Sequence, residues 1–209
     1  FGEQVAREAE RLGIVIDTAQ LSDYGFYDLM DITKNPVIDS HSCAAAVNPH
    51  PRNLRDDRIR AIAKRGGVVG VSFRAALADQ NKQVVTVQDL LKHIDYFADL
   101  VGVEHIGLGP DYCAYKTPVD RHNVKGFGNL GPDFCEFDRK TPVQSEKYPG
   151  WVECIYYGIR KSDFIDGLDE HEDFPSITRA LLENGYSDDE CRMILGENFL
   201  RVYRQVLDN

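Results

Sequence analysis

Two histidines, an arginine and a row of hydroxyl and carboxyl groups crowd into one stretch, Val37-Ile38-Asp39-Ser40-His41-Ser42 followed by His50-Pro51-Arg52-Asn53. An apolar run that ends abruptly in Asp, Ser, His and Ser has the form of a buried strand aiming polar groups at a ligand from its carboxyl end. A buried strand gains nothing from ending in an imidazole and a carboxylate unless both have partners. His41 is therefore a candidate metal ligand or catalytic group, and Arg52 a candidate grip for an anionic part of a substrate. The plainer alternative is a hydrogen-bonded histidine at a strand end and a surface cation on a loop. One histidine does not make a metal site.

The elements that must position these groups alternate along the chain. Gly2 to Leu12 has helical spacing and stops at Gly13. Ile14-Val15-Ile16 has the β-branched character of a buried strand, ending in Asp17-Thr18-Ala19-Gln20. Ser22 or Asp23 caps a helix to about Ile32, and Asn35-Pro36 breaks it before the strand from Val37. A helix containing Ile59 and Ile62 runs to Gly66-Gly67. The run Val68 to Phe73 is a third strand, and Thr86 caps a helix carrying Leu90, Leu91, Ile94 and Phe97. Gly102 closes that helix, and His105 to Gly109 forms a fourth strand that delivers Asp111. Near the end, a helix spans Phe174 to Glu183, and Ser187-Asp188-Asp189-Glu190 is a capping box opening a helix to about Val206.

Four strand-then-helix units with unbroken apolar runs predict a parallel sheet covered by helices, an α/β fold. Polar groups gather at the strand ends: Asp17 and Gln20, His41, Ser72, Asp111. An eight-stranded barrel and a small doubly wound domain both place sites there; the barrel ordinarily needs about 250 residues. Residues 113–170 interrupt the pattern with glycine, proline and aromatic clusters, and read as a long excursion within a single domain 1–209.

A chain of 209 residues with 43% hydrophobic content can bury a sizeable core. Its net charge of −10 argues against nucleic acid or an anionic membrane as partner. No apolar run reaches the ~18 residues of a membrane span, so the expectation is a soluble chain, with the compartment, cytoplasmic or exported, left open. Five cysteines without a CxxC pair argue against a cysteine-based zinc site. They read as free buried thiols, with a disulfide among Cys113, Cys135 and Cys154 open to an exported protein.

No GxSxG elbow, Walker A loop, GxGxxG fingerprint or HExxH helix is present. What remains is a site assembled from separate strand ends. Ile16 to Asp23, Pro36 to Ser42 and His50 to Leu54 resemble the renal (membrane) dipeptidase family. So do Arg65 to Val71, His105 to Tyr112 and Ile194 to Val202, in the same order. The resemblance implies a TIM-type (β/α)8 barrel of which this chain supplies roughly the C-terminal half. It also implies a site with two zinc ions that hydrolyses dipeptides or related amides, the metals activating a water and polarising the scissile carbonyl. By the same resemblance His41 matches a zinc ligand. Arg52 matches the arginine that holds the substrate's terminal carboxylate, for which a planar guanidinium is well shaped. Asp111 matches an aspartate near the reaction centre that orients or protonates.

Two departures from the family pattern stand out. Gln20 occupies the position of a histidine ligand, and a neutral amide oxygen is a poor substitute for imidazole on zinc. The family's His-x-Asp pair, bridging carboxylate and further catalytic histidine match nothing in the chain, which implies an N-terminal half as a separate chain or missing segment. The alternative is a catalytically altered or inactive relative, acting by binding or by another transformation of a peptide-derived metabolite. The resemblance also leaves room for a homo-oligomer.

Overall fold

The computed structural model describes residues 1–112, 164–168 and 170–207. Three strands, β1 (Ile38–Ser42), β2 (Val68–Val71) and β3 (Ile106–Leu108), form a parallel sheet in the order β1-β2-β3. Each strand is followed, directly or after a loop, by structure that returns to the sheet's amino end: α3 (Asp56–Lys64) after β1, α5 (Val87–Val101) after β2. Two helices precede the sheet, α1 (Gly2–Arg11) and α2 (Asp23–Ile32); a single turn, α4 (Ala75–Ala78), lies between β2 and α5. After the undescribed stretch come α6 (Phe174–Glu183), α7 (Asp188–Arg192) and α8 (Asn198–Leu207).

Local chemistry sets most of these boundaries. Ser22 caps α2 by accepting the Gly25 N–H at 3.1 Å. Thr86 with Asp89, and Ser187 with Glu190, form the capping boxes of α5 and α7. Gly13, Gly66, Gly102 and Gly185 follow helices with positive φ, the left-handed stop that glycine adopts without a Cβ penalty. The apolar stripes of α3 and α5 (Ile59, Ile62, Leu90, Ile94 and Phe97, all 0% exposed) bury against Val69, Val71 and Ile106 of the sheet.

A second, smaller cluster joins Ile38 and Val68 to Val202 and Val206 of α8. Here Phe199 lies against Gly70 and Gly107, where any Cβ would crowd its ring. Asn198 Nδ2 donates to the carbonyls of Val103 and Ile106, both at 2.8 Å, and Arg201 donates to those of Gly66 and Glu104, both at 2.7 Å. α8 thus closes the amino end of the sheet, leaving the carboxyl end for the site.

Two expectations are revised and one element is added. Ile14-Val15-Ile16 is not a full strand: it contributes one parallel bridge, Asp17 to Ile38, and Ile14 is 52% exposed. The segment has β1 on one side and no other strand beside it among the described residues. The C-terminal helix is broken, since Met193–Glu197 widens into a π-type turn and Gly196 leaves helical dihedrals, separating α7 from α8. α4, a turn of Ala-Ala-Leu-Ala, is additional. The excursion 113–170 lies outside the described residues except for 164–168 and 170, where Phe164 bridges to Arg74 and Ile165 is buried in the core. Cys43 and Cys191 are free and buried; the other three cysteines lie outside the described residues.

Candidate active site

The register of β1 against β2 slips at the point where the polar residues begin. Asp39 pairs with Val69 and Ser42 with Val71, so Ser40 and His41 together face the single residue Gly70. Such a bulge re-aims the side chains of the longer strand. It fits here because Gly70 and Gly109 both press on the Ser40 carbonyl, where a Cβ on either would overlap the oxygen.

His41 is held from both ring nitrogens. The Gln20 side-chain amide donates to Nε2 at 2.9 Å, which leaves the ring proton on Nδ1. Nδ1 donates to Ser40 Oγ at 2.7 Å, and that hydroxyl donates to Asp17 Oδ2 at 2.5 Å. Asp17 Oδ1 accepts two backbone N–H groups, from Ala19 and Ser40, each at 3.0 Å. The carboxylate therefore anchors the ring through a hydroxyl and points the Nε2 lone pair outward, the arrangement that commonly orients metal-binding histidines. That lone pair is engaged by Gln20. Gln20 has φ of 65°, a left-handed conformation unfavourable for a residue with a Cβ.

Beneath this corner, Asp39 is 0% exposed, and burial pushes its carboxyl above the usual carboxylate range. Thr18 Oγ1 donates to its Oδ2 at 3.3 Å. Arg58 lies over the Phe26 ring at 4.3 Å and donates to the carbonyls of Leu21 and Thr18.

Asp111, three residues beyond β3, has a second left-handed conformation, φ 58°. Gln20 and Asp111 are the two non-glycine residues with positive φ among the described residues, and backbone strain of this kind gathers at functional sites. Asp111 is held by Arg74, whose Nε reaches Oδ2 at 2.8 Å while its guanidinium stacks 4.5 Å from the centre of the Phe164 ring. Ser72, at the end of β2, is buried and accepts the Arg74 N–H at 3.2 Å.

Arg52 rides on the loop that leaves β1. The loop is pinched at its base by a bridge between Ala44 and Leu54, and the Arg52 N–H donates to His50 Nδ1 at 3.2 Å. Of the four residues selected from the sequence, Gln20 and His41 meet directly, Asp111 is joined to Arg74, and Arg52 is carried on its own loop. Sequence reasoning missed Arg74 and the orienting role of Ser40. A cation directly after the strand ending Ser72-Phe73 was the available signal for the first.

Polar and charged residues thus converge on the carboxyl end of a parallel α/β sheet, as in enzymes of that architecture. The chain belongs to the membrane dipeptidase family (peptidase family M19), whose model matches residues 1–132 and 156–209. It is 25% identical over 207 residues to dipeptidase tcpJ of Claviceps purpurea, an alignment covering 99% of this chain and 38% of that protein. It is 32% identical over 152 residues to an uncharacterized dipeptidase of Schizosaccharomyces pombe, covering 72% of this chain and 36% of the relative. Among solved structures, an amidohydrolase from Pseudomonas aeruginosa superposes with a TM-score of 0.76 at 26% identity, over 100% of this chain and 57% of that one. A metallopeptidase from Rhodobacter sphaeroides, solved with a phosphinate mimic of the dipeptide L-Ala-D-Ala, shares the fold. Its TM-score is 0.71 at 21% identity, over 98% of this chain and 46% of that one. The chain spans little more than a third of the length of the curated relatives it matches. No helix among the described residues is long and apolar enough to cross a membrane.

Proposed function

We propose that this chain is the C-terminal half of a TIM-type barrel that hydrolyses dipeptides or related amides, completed by an N-terminal half outside the chain. The observation that carries the reading is His41, lifted on the β1 bulge with Nδ1 tied through Ser40 to Asp17 and Nε2 turned outward. In this reading Arg52 receives the substrate's terminal carboxylate through a paired guanidinium contact. Asp111, fixed by Arg74, orients or protonates groups at the scissile amide. The parallel order β1-β2-β3, with Asp17 bridged to the edge of β1 and no further strand beside either edge among the described residues, supports the half-barrel reading.

Zinc is the metal this reading assigns to the complete site. Among the described residues no group of three His, Cys, Asp or Glu stands ready for a metal ion. The donors at this corner are one imidazole and one neutral amide, with Asp17 committed to Ser40. On their own they do not fit a pair of zinc ions, so His41 is assigned as one ligand and the remainder to the N-terminal half.

One contact favours a second reading. The Gln20 amide on Nε2 takes the electron pair that a metal would need. This supports a relative that retains the carboxylate grip and binds or otherwise transforms a peptide-derived metabolite.

Purified full-length protein separates the two. Hydrolysis of alanyl-alanine, with about two zinc ions per complete site, supports the first. Dipeptide binding with neither turnover nor bound metal supports the second. Absence of any dipeptide interaction that depends on Arg52 refutes both.

A further inference from the structure

The single turn α4 ends in carbonyls that a longer helix would satisfy internally, and side chains from two other elements take them. Asn48 Nδ2 donates to the carbonyls of Ala76 and Leu77 at 3.0 and 2.9 Å. Asn53 Nδ2 donates to the Leu77 carbonyl at 2.8 Å and to that of Asn48 at 2.9 Å. His93, from α5, donates from Nε2 to the Ala78 carbonyl at 2.9 Å, while its Nδ1 accepts the Ala44 N–H at 3.1 Å. The neutral ring is thereby fully used, one donor and one acceptor. Asn48, Asn53 and His93 are 3%, 7% and 0% exposed, so the bonds are shielded from competing water.

What these bonds join matters more than their number. Asn48, Asn53 and Ala44 belong to the loop that carries Arg52. The turn they grip starts at Arg74, which holds Asp111 at 2.8 Å. A one-turn helix has almost no stability of its own, so its position is set by these side chains.

We propose that Asn48, Asn53 and His93 are positioning residues that lock the Arg52 loop to α4, fixing the Arg52 guanidinium relative to Asp111 so that the site selects a free terminal carboxylate. His93 acts on the ligand only through the loop it holds. The inference rests on the reading of Arg52 given above.

The test uses full-length protein and two probes, alanyl-alanine and its C-terminal carboxamide, with affinities measured by calorimetry. The wild type is expected to prefer the free acid by about tenfold or more, the scale of a charge-assisted paired contact. Arg52→Ala removes that preference. Asn53→Ala and His93→Leu reduce it at least about threefold while the protein still unfolds cooperatively, because a misplaced guanidinium loses the paired geometry. His93→Gln, which keeps a donor for the Ala78 carbonyl, restores most of it. Nitrogen NMR of the wild type is expected to show His93 protonated at Nε2 and bare at Nδ1. Should His93→Leu fail to fold, Asn48→Ala and Asn53→Ala, which change the other side of the same clasp, decide the matter. Folded clasp variants that keep the wild-type preference overturn the proposal. A wild type that shows no preference, unchanged by Arg52→Ala, overturns the carboxylate reading itself and the inference with it.

Discussion

The two ends of the candidate site are built in opposite ways. At β1, Gln20, His41, Ser40 and Asp17 form a single thread of hydrogen bonds, with the amide and carboxylate side chains exposed. Around α4, Asn48, Asn53, His93 and Arg74 form a buried mesh in which one carbonyl, that of Leu77, receives two donors. A thread is retuned by one substitution, whereas a mesh changes only when several bonds are rebuilt. Gln20, where the resemblance expects a histidine, falls on the thread, and Arg52, Asn53 and Asp111, which come from the stretches that carry the resemblance, fall on or beside the mesh.

The largest expected effect strikes the support of the thread rather than the thread itself. A Cβ at Gly109 overlaps the Ser40 carbonyl, so Gly109→Ala must move the bulge or the strand. It is expected to destabilise by about 1–3 kcal/mol, the range of forced overpacking, read in urea unfolding. An unchanged midpoint would show that the bulge is loose. Next comes Arg74→Met, which removes the Arg74 guanidinium from the Asp111 carboxylate, 28% exposed. A loss of about 1–2 kcal/mol is expected, less than for a fully buried pair because Asp111 retains access to water. If the thread and mesh differ as described, this exceeds the loss from Ser40→Ala.

Acid probes the mesh from another direction. Burial holds the His93 pKa below the ordinary histidine value, with Asp89, Lys92 and Asp79 as its charged surroundings. The unfolded chain takes up a proton near pH ~6.5 that the folded ring refuses, so stability is present above that pH and falls as pH drops toward the folded pKa. Urea midpoints measured from pH 7.5 to 5 should decline, and His93→Gln should lack this component. Equal slopes in the two proteins would remove His93 from the mesh.

The smallest changes in stability are expected on the thread. Gln20→Gly relieves a left-handed backbone and should stabilise by about 1 kcal/mol, offset in part by the lost bond to His41. Gln20→His leaves stability within about 0.5 kcal/mol, as for other exposed sites. It should nonetheless raise zinc uptake by the full-length protein, since imidazole is the better zinc donor. Zinc content unaltered by Gln20→His would detach this corner from metal binding.

How much was legible follows from the range of the forces involved. The caps at Ser22, Thr86 and Ser187 are contacts across three residues, and the apolar runs at Val37, Val68 and Ile106 declare burial directly, so most helices and the three parallel strands could be read from the chain. By contrast, the same β-branched signal at Ile14-Val15-Ile16 marked a half-exposed segment with a single bridge. Gln20 and His41 follow apolar runs that lie side by side through the Asp17 to Ile38 bridge, which made their meeting foreseeable. The bulge was not, because a one-residue slip depends on the close approach of Gly70 and Gly109 from other strands. Nor was α4: Ala75–Ala78 owes its turn to Asn48, Asn53 and His93, up to about thirty residues away in sequence. Arg74 was passed over because nothing adjacent to it announces Asp111, which arrives only with β3.

Phe199 against Gly70 and Gly107 has a consequence during biosynthesis. The glycine faces of β2 and β3 are covered by a side chain made more than ninety residues after β3 begins. A ribosome must therefore translate through α8 before that surface can be shielded. Until then the nascent sheet stands open, and a message truncated before Asn198 yields a product suited to capture by chaperones and proteases.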